Sequence, residues 1–266
     1  MTNEDTFETL RFEVADSVAT ITLARPERLN ALNLRMAEEL FEVAVRCDLD
    51  DQIRTVIVTG TGRAFMAGGD LATFAAAGDQ RDGLITRMAT RLHGAISHFN
   101  RMDAPVIAAV NGVAAGAGMS LALSVDLAVA AQSARFVMAY TRVGLTPDGA
   151  SSYFLPRLVG LRRAQELVLT NRELTAGEAL AWGIVNDVVA DHELGTSVDQ
   201  LARQMTSGAT RTLGAAKRLM REGWNQTLES HMEAEGRAIA ASSIRPTGVE
   251  GTNAFLEKRT PRFTGQ

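Results

Sequence analysis

The chain has 266 residues, of which 46% are hydrophobic and 22% are charged, and its formal net charge is −4. This composition is ordinary for a globular protein, so we expect a sizeable domain with a real core and exclude a disordered chain. No excess of basic residues indicates a nucleic-acid surface, and no run of about 18 apolar residues indicates a membrane span.

The single cysteine and the four histidines limit the disulfide and metal chemistry that the chain can support. Cys47 is the only cysteine, so the chain cannot form an internal disulfide or a cysteine metal cluster, which fits a reducing compartment. The four histidines lack H-E-x-x-H spacing, and the acidic start, "MTNEDTFETL", lacks the features of a signal peptide. We therefore predict a cytoplasmic protein that has no metal site.

Apolar periodicity predicts strands and helices that alternate along most of the chain. The elements predicted first are, in chain order, two strands within 10–25 that turn near Ala15 and Asp16, a helix within 29–50, a strand within 54–60, helices within 71–78 and 83–102, a strand within 105–112, a glycine-rich turn and helix within 113–126, and strands within 127–131 and 135–139. This β–β–α order without long linkers predicts one α/β domain over residues 1–195.

The end of the chain has a different pattern. Thr175 and Glu178 form a capping box ahead of a helix and a last strand within 175–189. From Asp191 onward only helical periodicity remains, so we assign residues 196–266 to a helical C-terminal section. Such a section, with one apolar side left over, is typical of an assembly surface.

Two glycine-rich segments each follow a predicted strand and lead into a helix. They are "GTGRAFMAGGD", Gly60 to Asp70, and "NGVAAGAGMS", Asn111 to Ser120. Such turns point free backbone N–H groups outward, and two of them side by side would form an oxyanion hole. The alternative for either segment alone is tight packing of strand against helix. Neither matches a nucleotide-binding glycine motif, and no G-x-S-x-G elbow surrounds Ser120.

Several motifs in the right order resemble the enoyl-CoA hydratase/isomerase, or crotonase, superfamily. They are "RPERLNAL", "GTGRAFMAGGDL", "APVIAAVNGVAAGAGMSLALSVDLAVAA" and "LTAGEALAWGIVNDVV". The resemblance implies an α/β fold, a crotonase spiral of ββα units, with a C-terminal helical trimerisation section that builds a homotrimer or homohexamer. It also implies an acyl-CoA thioester substrate and no separate cofactor, since coenzyme A is part of the substrate.

The resemblance also assigns residues. It implies that the N–H groups of Ala67 and Ala117 are the oxyanion donors. The residues it assigns to coenzyme A binding are Arg28, Leu29, Ala67, Gly68, Gly69, Asp70, Phe255 and Lys258, the last two toward the coenzyme A of a neighbouring subunit. The acyl pocket is expected to be walled by residues 71–93.

The residues expected to move protons depart from those of the family's hydratases. Those enzymes use two glutamates, and this chain has Ser120 and Tyr140 at the two positions. Neither is a good base near neutral pH. Asp148 remains, and its stretch resembles the ring-epoxide isomerases of phenylacetate degradation and related enoyl-CoA isomerases. One carboxylate is enough for a 1,3-proton shift, because no water is activated.

Three alternatives stay open at this point. The chain could be a hydratase that uses non-standard residues, or a coenzyme A thioester binder without catalysis. The stretch after Asp148 also resembles 4-chlorobenzoyl-CoA dehalogenases, in which an aspartate attacks the ring and a helix histidine, here His93, assists ester hydrolysis. Against this alternative, Tyr140 stands where those enzymes have tryptophan.

Overall fold

The computed structural model describes residues 7–264, so the first six residues of the acidic start lie outside it. Ten strands lie within this range: β1 (Leu10–Ala15), β2 (Val18–Leu23), β3 (Thr55–Gly60), β4 (Ala64–Ala67), β5 (Val106–Val110), β6 (Val113–Ala115), β7 (Leu127–Ala131), β8 (Arg135–Val137), β9 (Leu174–Thr175) and β10 (Asp187–Val189). These strands form two sheets, one of six strands and one of four.

The helices of the described range surround these sheets. They are α1 (Leu34–Leu49), α2 (Leu71–Ala76), α3 (Arg81–Arg101), α4 (Ala117–Ser124), α5 (Ser151–Val159), α6 (Leu161–Thr170), α7 (Ala176–Ala181), α8 (Leu194–Thr206), α9 (Thr210–Glu222), α10 (Leu228–Ser243) and α11 (Pro246–Leu256). Between residues 7 and 264 no helix is both long and apolar enough to cross a bilayer.

The six-stranded sheet has the order β1-β2-β3-β5-β7-β10, and only the β1–β2 pair is antiparallel. The four-stranded sheet has the order β4-β6-β8-β9, with β9 antiparallel to β8. The pairs β3–β4, β5–β6 and β7–β8 each contribute one strand to each sheet before a helix, whereas β1 and β2 both lie in the six-stranded sheet. The predicted spiral of ββα units is confirmed.

The two glycine-rich segments are not simple turns, which corrects the sequence prediction. Each contains a short strand, β4 or β6, and these strands pair in parallel, with Ala67 opposite Ala115. Strands of three or four residues between glycines leave too little alternation to be recognised from periodicity. The pairing is what brings the two segments together.

Helix α1 shows how the sequence specifies the local structure. The side chain of Asn33 accepts a hydrogen bond from the N–H of Met36 and caps the helix. Its buried face packs against α3 and includes the four residues predicted from periodicity, Met36, Leu40, Val43 and Cys47. Burial raises the pKa of the Cys47 thiol to about 12, so the thiol stays protonated and is a packing group.

The C-terminal helices are attached to the sheets by both apolar and charged contacts. Helix α8 buries Leu194 and Val198 against Ile57 and Ile107 on the outer face of the six-stranded sheet. Helix α9 is attached by Lys217, which is only 6% exposed. The division of the chain at residue 195 stays a prediction.

A buried charge cluster fixes α9. The ammonium group of Lys217 donates to Asp126 Oδ2 at 2.8 Å and to the carbonyls of Phe99 and Ala104, each at 3.0 Å. Arg221 donates to Asp126 Oδ1 at 2.9 Å. A buried cation is tolerated only when its donors are paired, so Asp126 is the group on which this attachment depends.

We predict that Asp126→Asn destabilises the fold, because it leaves Lys217 as a buried charge without its counter-ion. The expected cost is roughly 3–5 kcal/mol, or roughly 6–20 °C in Tm by thermal melting. The matched control is Asp199→Asn on the exposed side of α8, for which we expect a change under about 2 °C. If the Tm of the Asp126→Asn variant also changes by less than about 2 °C, the role given to the cluster is contradicted.

Candidate active site

A cavity of about 270 Å3 lies where the chain leaves β4, β6 and β8. Helices α2 and α3 close its other side. Its walls are mostly apolar, and the polar side chains among its lining residues are Tyr140, Arg142, Thr146 and Asp148. A mostly apolar pocket with a few convergent polar groups is the usual form of a small-molecule site.

The segment predicted to wall the acyl pocket lies where it was expected. Residues 71–93 contribute the cavity residues Leu71, Phe74, Ile85, Met88 and Ala89. Leu145 adds to the same apolar lining from the opposite side. These side chains give the cavity a lining that suits an apolar acyl group.

Two backbone N–H groups at the cavity are free to bind an oxygen. Within residues 7–264, neither Gly69 nor Ala117 donates its N–H to a protein acceptor. Ala117 is the first residue of α4, where the N–H has no partner inside the helix. Both residues line the cavity, so together they form a candidate oxyanion hole.

The predicted donor Ala67 is wrong, and Gly69 takes its place. The N–H of Ala67 donates to the carbonyl of Leu29 at 3.0 Å, so it is not available to a substrate. The predicted donor Ala117 agrees with the geometry. The sequence analysis assigns Gly69 only to coenzyme A binding. Whether Ala67 or Gly69 has the free N–H group depends on the hydrogen bond to Leu29, which is remote in sequence.

The two donors lie together because their turns approach very closely. Gly116 has a φ of 48°, and a Cβ atom there would lie 3.5 Å from the Cα atom of Gly68. A Cβ atom at Gly69 would lie 2.7 Å from the ring of Phe74. The left-handed backbone disfavours a side chain at Gly116, and a side chain at Gly69 would clash with the ring of Phe74, which explains why both positions are glycine.

Buried polar contacts hold the first turn in place. Asn30 is fully buried, and its side-chain amide donates to the carbonyls of Thr61 and Ala64. Asp70 accepts a hydrogen bond from Arg25 at 2.9 Å and caps α2. These contacts hold the pKa of Asp70 below its usual value, although burial works in the opposite direction. Asp70 therefore positions the turn and does not line the cavity.

Asp148, Tyr140 and Ser120 form a hydrogen-bonded chain at the polar end of the cavity. The hydroxyl of Tyr140 donates to Asp148 Oδ1 at 2.6 Å. The hydroxyl of Ser120 lies 2.9 Å from that of Tyr140 and 3.1 Å from the carbonyl oxygen of Gly116. The hydroxyl of Tyr140 has one proton and donates it in the hydrogen bond to Asp148, so the single hydroxyl proton of Ser120 is shared between the oxygen of Tyr140 and the carbonyl of Gly116.

Tyr140 acts in this chain as a donor and not as a base. Burial raises its pKa well above the usual value, and the negative charge of Asp148 raises it further. The phenol therefore stays protonated at physiological pH. Its hydrogen bond fixes one oxygen of Asp148 and leaves Oδ2 for a ligand.

His93 and Ser120 do not line the cavity, whereas the other residues predicted to be catalytic do. His93 is exposed on α3 and lines a neighbouring groove with Tyr153 and Phe154. Its Nε2 atom accepts the N–H of Gly149 at 3.1 Å. The structure thus brings His93 close to Asp148 in space, although the two are remote in sequence, and places it on the other side of the turn that carries Asp148.

The remaining predicted binding residues do not line the cavity. Arg28 is exposed in a short 3₁₀ turn, and Leu29 contributes its carbonyl to the hydrogen bond with Ala67. Phe255 is 84% exposed and Lys258 is exposed at the end of α11. Their assignment to coenzyme A stays a prediction. In the described range, 7–264, no group of three or more His, Cys, Asp or Glu side chains is placed to hold a metal ion.

Two free N–H groups that face one cavity, with a carboxylate beside them, define an enzyme site that stabilises a developing oxyanion. A sequence model of the enoyl-CoA hydratase/isomerase family matches residues 13–266, and the chain belongs to that family. It is 39% identical over 261 residues to 1,2-epoxyphenylacetyl-CoA isomerase of Escherichia coli (strain K12), covering 95% of this chain and 97% of that protein.

Other relatives are named for different activities. The chain is 36% identical over 247 residues to 4-chlorobenzoyl coenzyme A dehalogenase-2 of an Arthrobacter species, covering 92% of this chain and 90% of that protein. The crystal structure of a putative enoyl-CoA hydratase from Streptomyces coelicolor A3(2) matches with a TM-score of 0.93 and 32% identity, over 98% of this chain and 96% of that one. The crotonase fold is confirmed, and the protein is an enzyme of that superfamily that acts on coenzyme A thioesters.

We predict that Ala117→Pro removes one oxyanion donor with little change to the fold, because proline is well tolerated at the first position of a helix. The expected loss in kcat is roughly 10²- to 10³-fold. Exchange of the α-hydrogens of an acyl-CoA into D2O measures enolate formation directly. The control, Ala117→Gly, keeps the N–H and should exchange at nearly the wild-type rate. Equal exchange in the proline variant would exclude Ala117 as a donor.

Proposed function

We propose that this enzyme isomerises the double bond of an acyl-CoA, converting a 3-enoyl-CoA into a 2-enoyl-CoA with Asp148 as the only catalytic carboxylate. The observation that carries the proposal is the position of Asp148. Of the residues that line the cavity, it is the one carboxylate, and Oδ2 is left open by the hydrogen bond from Tyr140. The relative that is a 1,2-epoxyphenylacetyl-CoA isomerase supports an isomerase.

The proposed reaction begins with the thioester oxygen at the N–H groups of Gly69 and Ala117. Asp148 Oδ2 removes a proton from the α-carbon, and the two N–H groups stabilise the resulting dienolate. The double bond moves as the protonated Asp148 returns the proton to the γ-carbon. No water is consumed and no second base is needed.

Ser120 and Tyr140 argue against ordinary hydration in this site. They stand at the positions where, by the resemblance described above, hydratases of the family have two glutamates. Here their hydroxyls bond to each other, and the hydroxyl of Tyr140 also bonds to Asp148. Neither group is a base at neutral pH, because the pKa of Tyr140 is raised and an alcohol is a weaker acid still. Hydration through these residues is therefore the weaker candidate.

A dehalogenase-like reaction is the second candidate, because the Arthrobacter relative has that name and Asp148 faces a cavity of suitable chemistry. The aspartate would then form an ester that His93 must help to hydrolyse. His93 does not line the cavity, and its Nε2 is engaged by Gly149. This arrangement favours isomerisation. Release of chloride from 4-chlorobenzoyl-CoA would reverse the preference.

We predict that Asp148→Asn lowers kcat for a 3-enoyl-CoA by roughly 10²- to 10⁴-fold, because the amide cannot take up the proton. The formation of the 2-enoyl product is followed by its ultraviolet absorbance. The control is Asp187→Asn at the exposed start of β10, which should have wild-type activity. The proposal fails if wild-type protein does not isomerise any 3-enoyl-CoA, or if Asp148→Asn remains fully active.

We also propose that the protein assembles as a homotrimer or homohexamer through its C-terminal helices. Many large apolar side chains of this region are at least half exposed in the single chain: Met220, Leu228, Met232, Ile239, Ile244, Phe255 and Leu256. Apolar surface of this extent supports an interface, and assembly would bring Phe255 and Lys258 to a neighbouring subunit.

The assembly predicts a mass in solution three or six times that of one chain. Light scattering after size-exclusion chromatography measures this mass. Ile239→Glu places a charge in the proposed interface and is expected to lower the mass, whereas Asp199→Asn should not change it. A wild-type protein that remains monomeric at micromolar concentration would contradict the proposal.

A further inference from the structure

The turn that carries Asp148 has a strained backbone held by a few contacts. Gly149 and Ala150 both have left-handed conformations, with φ values of 59° and 58°. A left-handed alanine is unfavourable and persists only where neighbouring contacts impose it. Ser151 supplies two of these contacts, because its N–H and hydroxyl both bind the carbonyl of Asp148.

Gly149 fits tightly into its surroundings. A Cβ atom at this position would lie 2.8 Å from the Cβ atom of Ser120 and 3.4 Å from Leu92. The turn is therefore wedged between α4 and α3. Its N–H group points to α3, where it donates to His93 Nε2 at 3.1 Å. This hydrogen bond joins the residue next to Asp148 to an exposed histidine.

The contact between Gly149 and His93 exists only when the imidazole is neutral. A backbone N–H is always the donor, so Nε2 must present a lone pair. When His93 takes up a proton at Nε2, both ring nitrogens become donors and the bond is lost. Two N–H groups would then face each other, and the turn would lose its link to α3.

We propose that His93 is a positioning residue that keeps Asp148 in its reactive place while neutral and releases it when protonated. This inference builds on the proposed function of Asp148, and it assigns His93 a role different from ester hydrolysis. Protonation of His93, which lies outside the cavity, would therefore lower the rate of the enzyme. Oδ1 of Asp148 would keep its contact with Tyr140, but the backbone that carries Asp148 would be freed from α3.

Other charged groups around His93 act on the same equilibrium. The groove that His93 lines has one other titratable side chain among the described residues, Tyr153. The elements around this groove also carry Asp148 on the turn and Arg157 on α5, whose guanidinium lies 3.7 Å from the ring centre of Tyr153. Arg221 of α9 lies over the ring of Phe154. Substitution of His93 itself separates its titration from theirs.

The first test compares pH profiles of kcat for wild type and His93→Gln. Glutamine offers an oxygen acceptor to Gly149 but does not titrate. Wild-type kcat should fall as the pH is lowered and His93 becomes protonated, whereas the glutamine variant should keep its rate to lower pH. An unchanged acid limb in His93→Gln would overturn the proposal.

Two further variants separate positioning from general effects of substitution. His93→Phe has no acceptor, so kcat should fall by about 10- to 100-fold at every pH while KM stays near the wild-type value. The control is His98→Gln, five residues further on the same helix, where the histidine pairs with Asp48. It should leave the profile unchanged. Full kcat in a folded His93→Phe variant would also overturn the proposal.

A measurement that needs no turnover keeps this proposal separate from the isomerase proposal. The amide resonance of Gly149, followed by NMR, should shift with pH at the same midpoint as the ring of His93. The shift should be absent in His93→Gln. An amide that does not respond while His93 titrates would overturn the inference, whether or not the protein isomerises any substrate. If the Gly149 amide responds to the titration of His93 but the wild-type protein is inactive, only the proposed reaction is rejected.

Discussion

The close approach of two backbone turns is the constraint on which the site depends. Pairing of β4 with β6 places the turn at Gly68 against the turn at Gly116, so that the N–H groups of Gly69 and Ala117 face one cavity. Backbone donors of this kind are fixed by the sheet and need no rearrangement during the reaction. The ββα repeat supplies such a turn each time the chain leaves the smaller sheet.

The side chains above these donors decide the chemistry. The turn after β8 brings Tyr140 to the cavity, and a second turn brings Asp148 to within 2.6 Å of its hydroxyl. The same fold with other residues here would perform another reaction, which fits the different activities of relatives of similar identity. In this chain, the hydroxyls of Tyr140 and Ser120 support one carboxylate. This arrangement supports the proposed proton shift.

Much of the fold followed from periodicity, because long helices such as α1 and buried strands such as β3 have strong patterns. Strands β4 and β6 could not be predicted from periodicity, since they are short and lie among glycines. In the site, the predicted donor Ala117 has a free N–H group at the cavity, whereas the N–H group of Ala67 is engaged. The carbonyl that engages Ala67 belongs to Leu29, and nothing in the local sequence reveals this contact. The position of His93 behind the Asp148 turn likewise depends on how α3 packs.

A crystal structure with a bound, unreactive 3-enoyl-CoA analogue tests the central claim most directly. The account predicts that the thioester oxygen lies about 2.7–3.1 Å from the nitrogen atoms of both Gly69 and Ala117. It also predicts that Asp148 Oδ2 lies against the α- and γ-carbons with no water between them. A thioester oxygen bound elsewhere, or an ordered water held by Asp148 against the β-carbon, would contradict it.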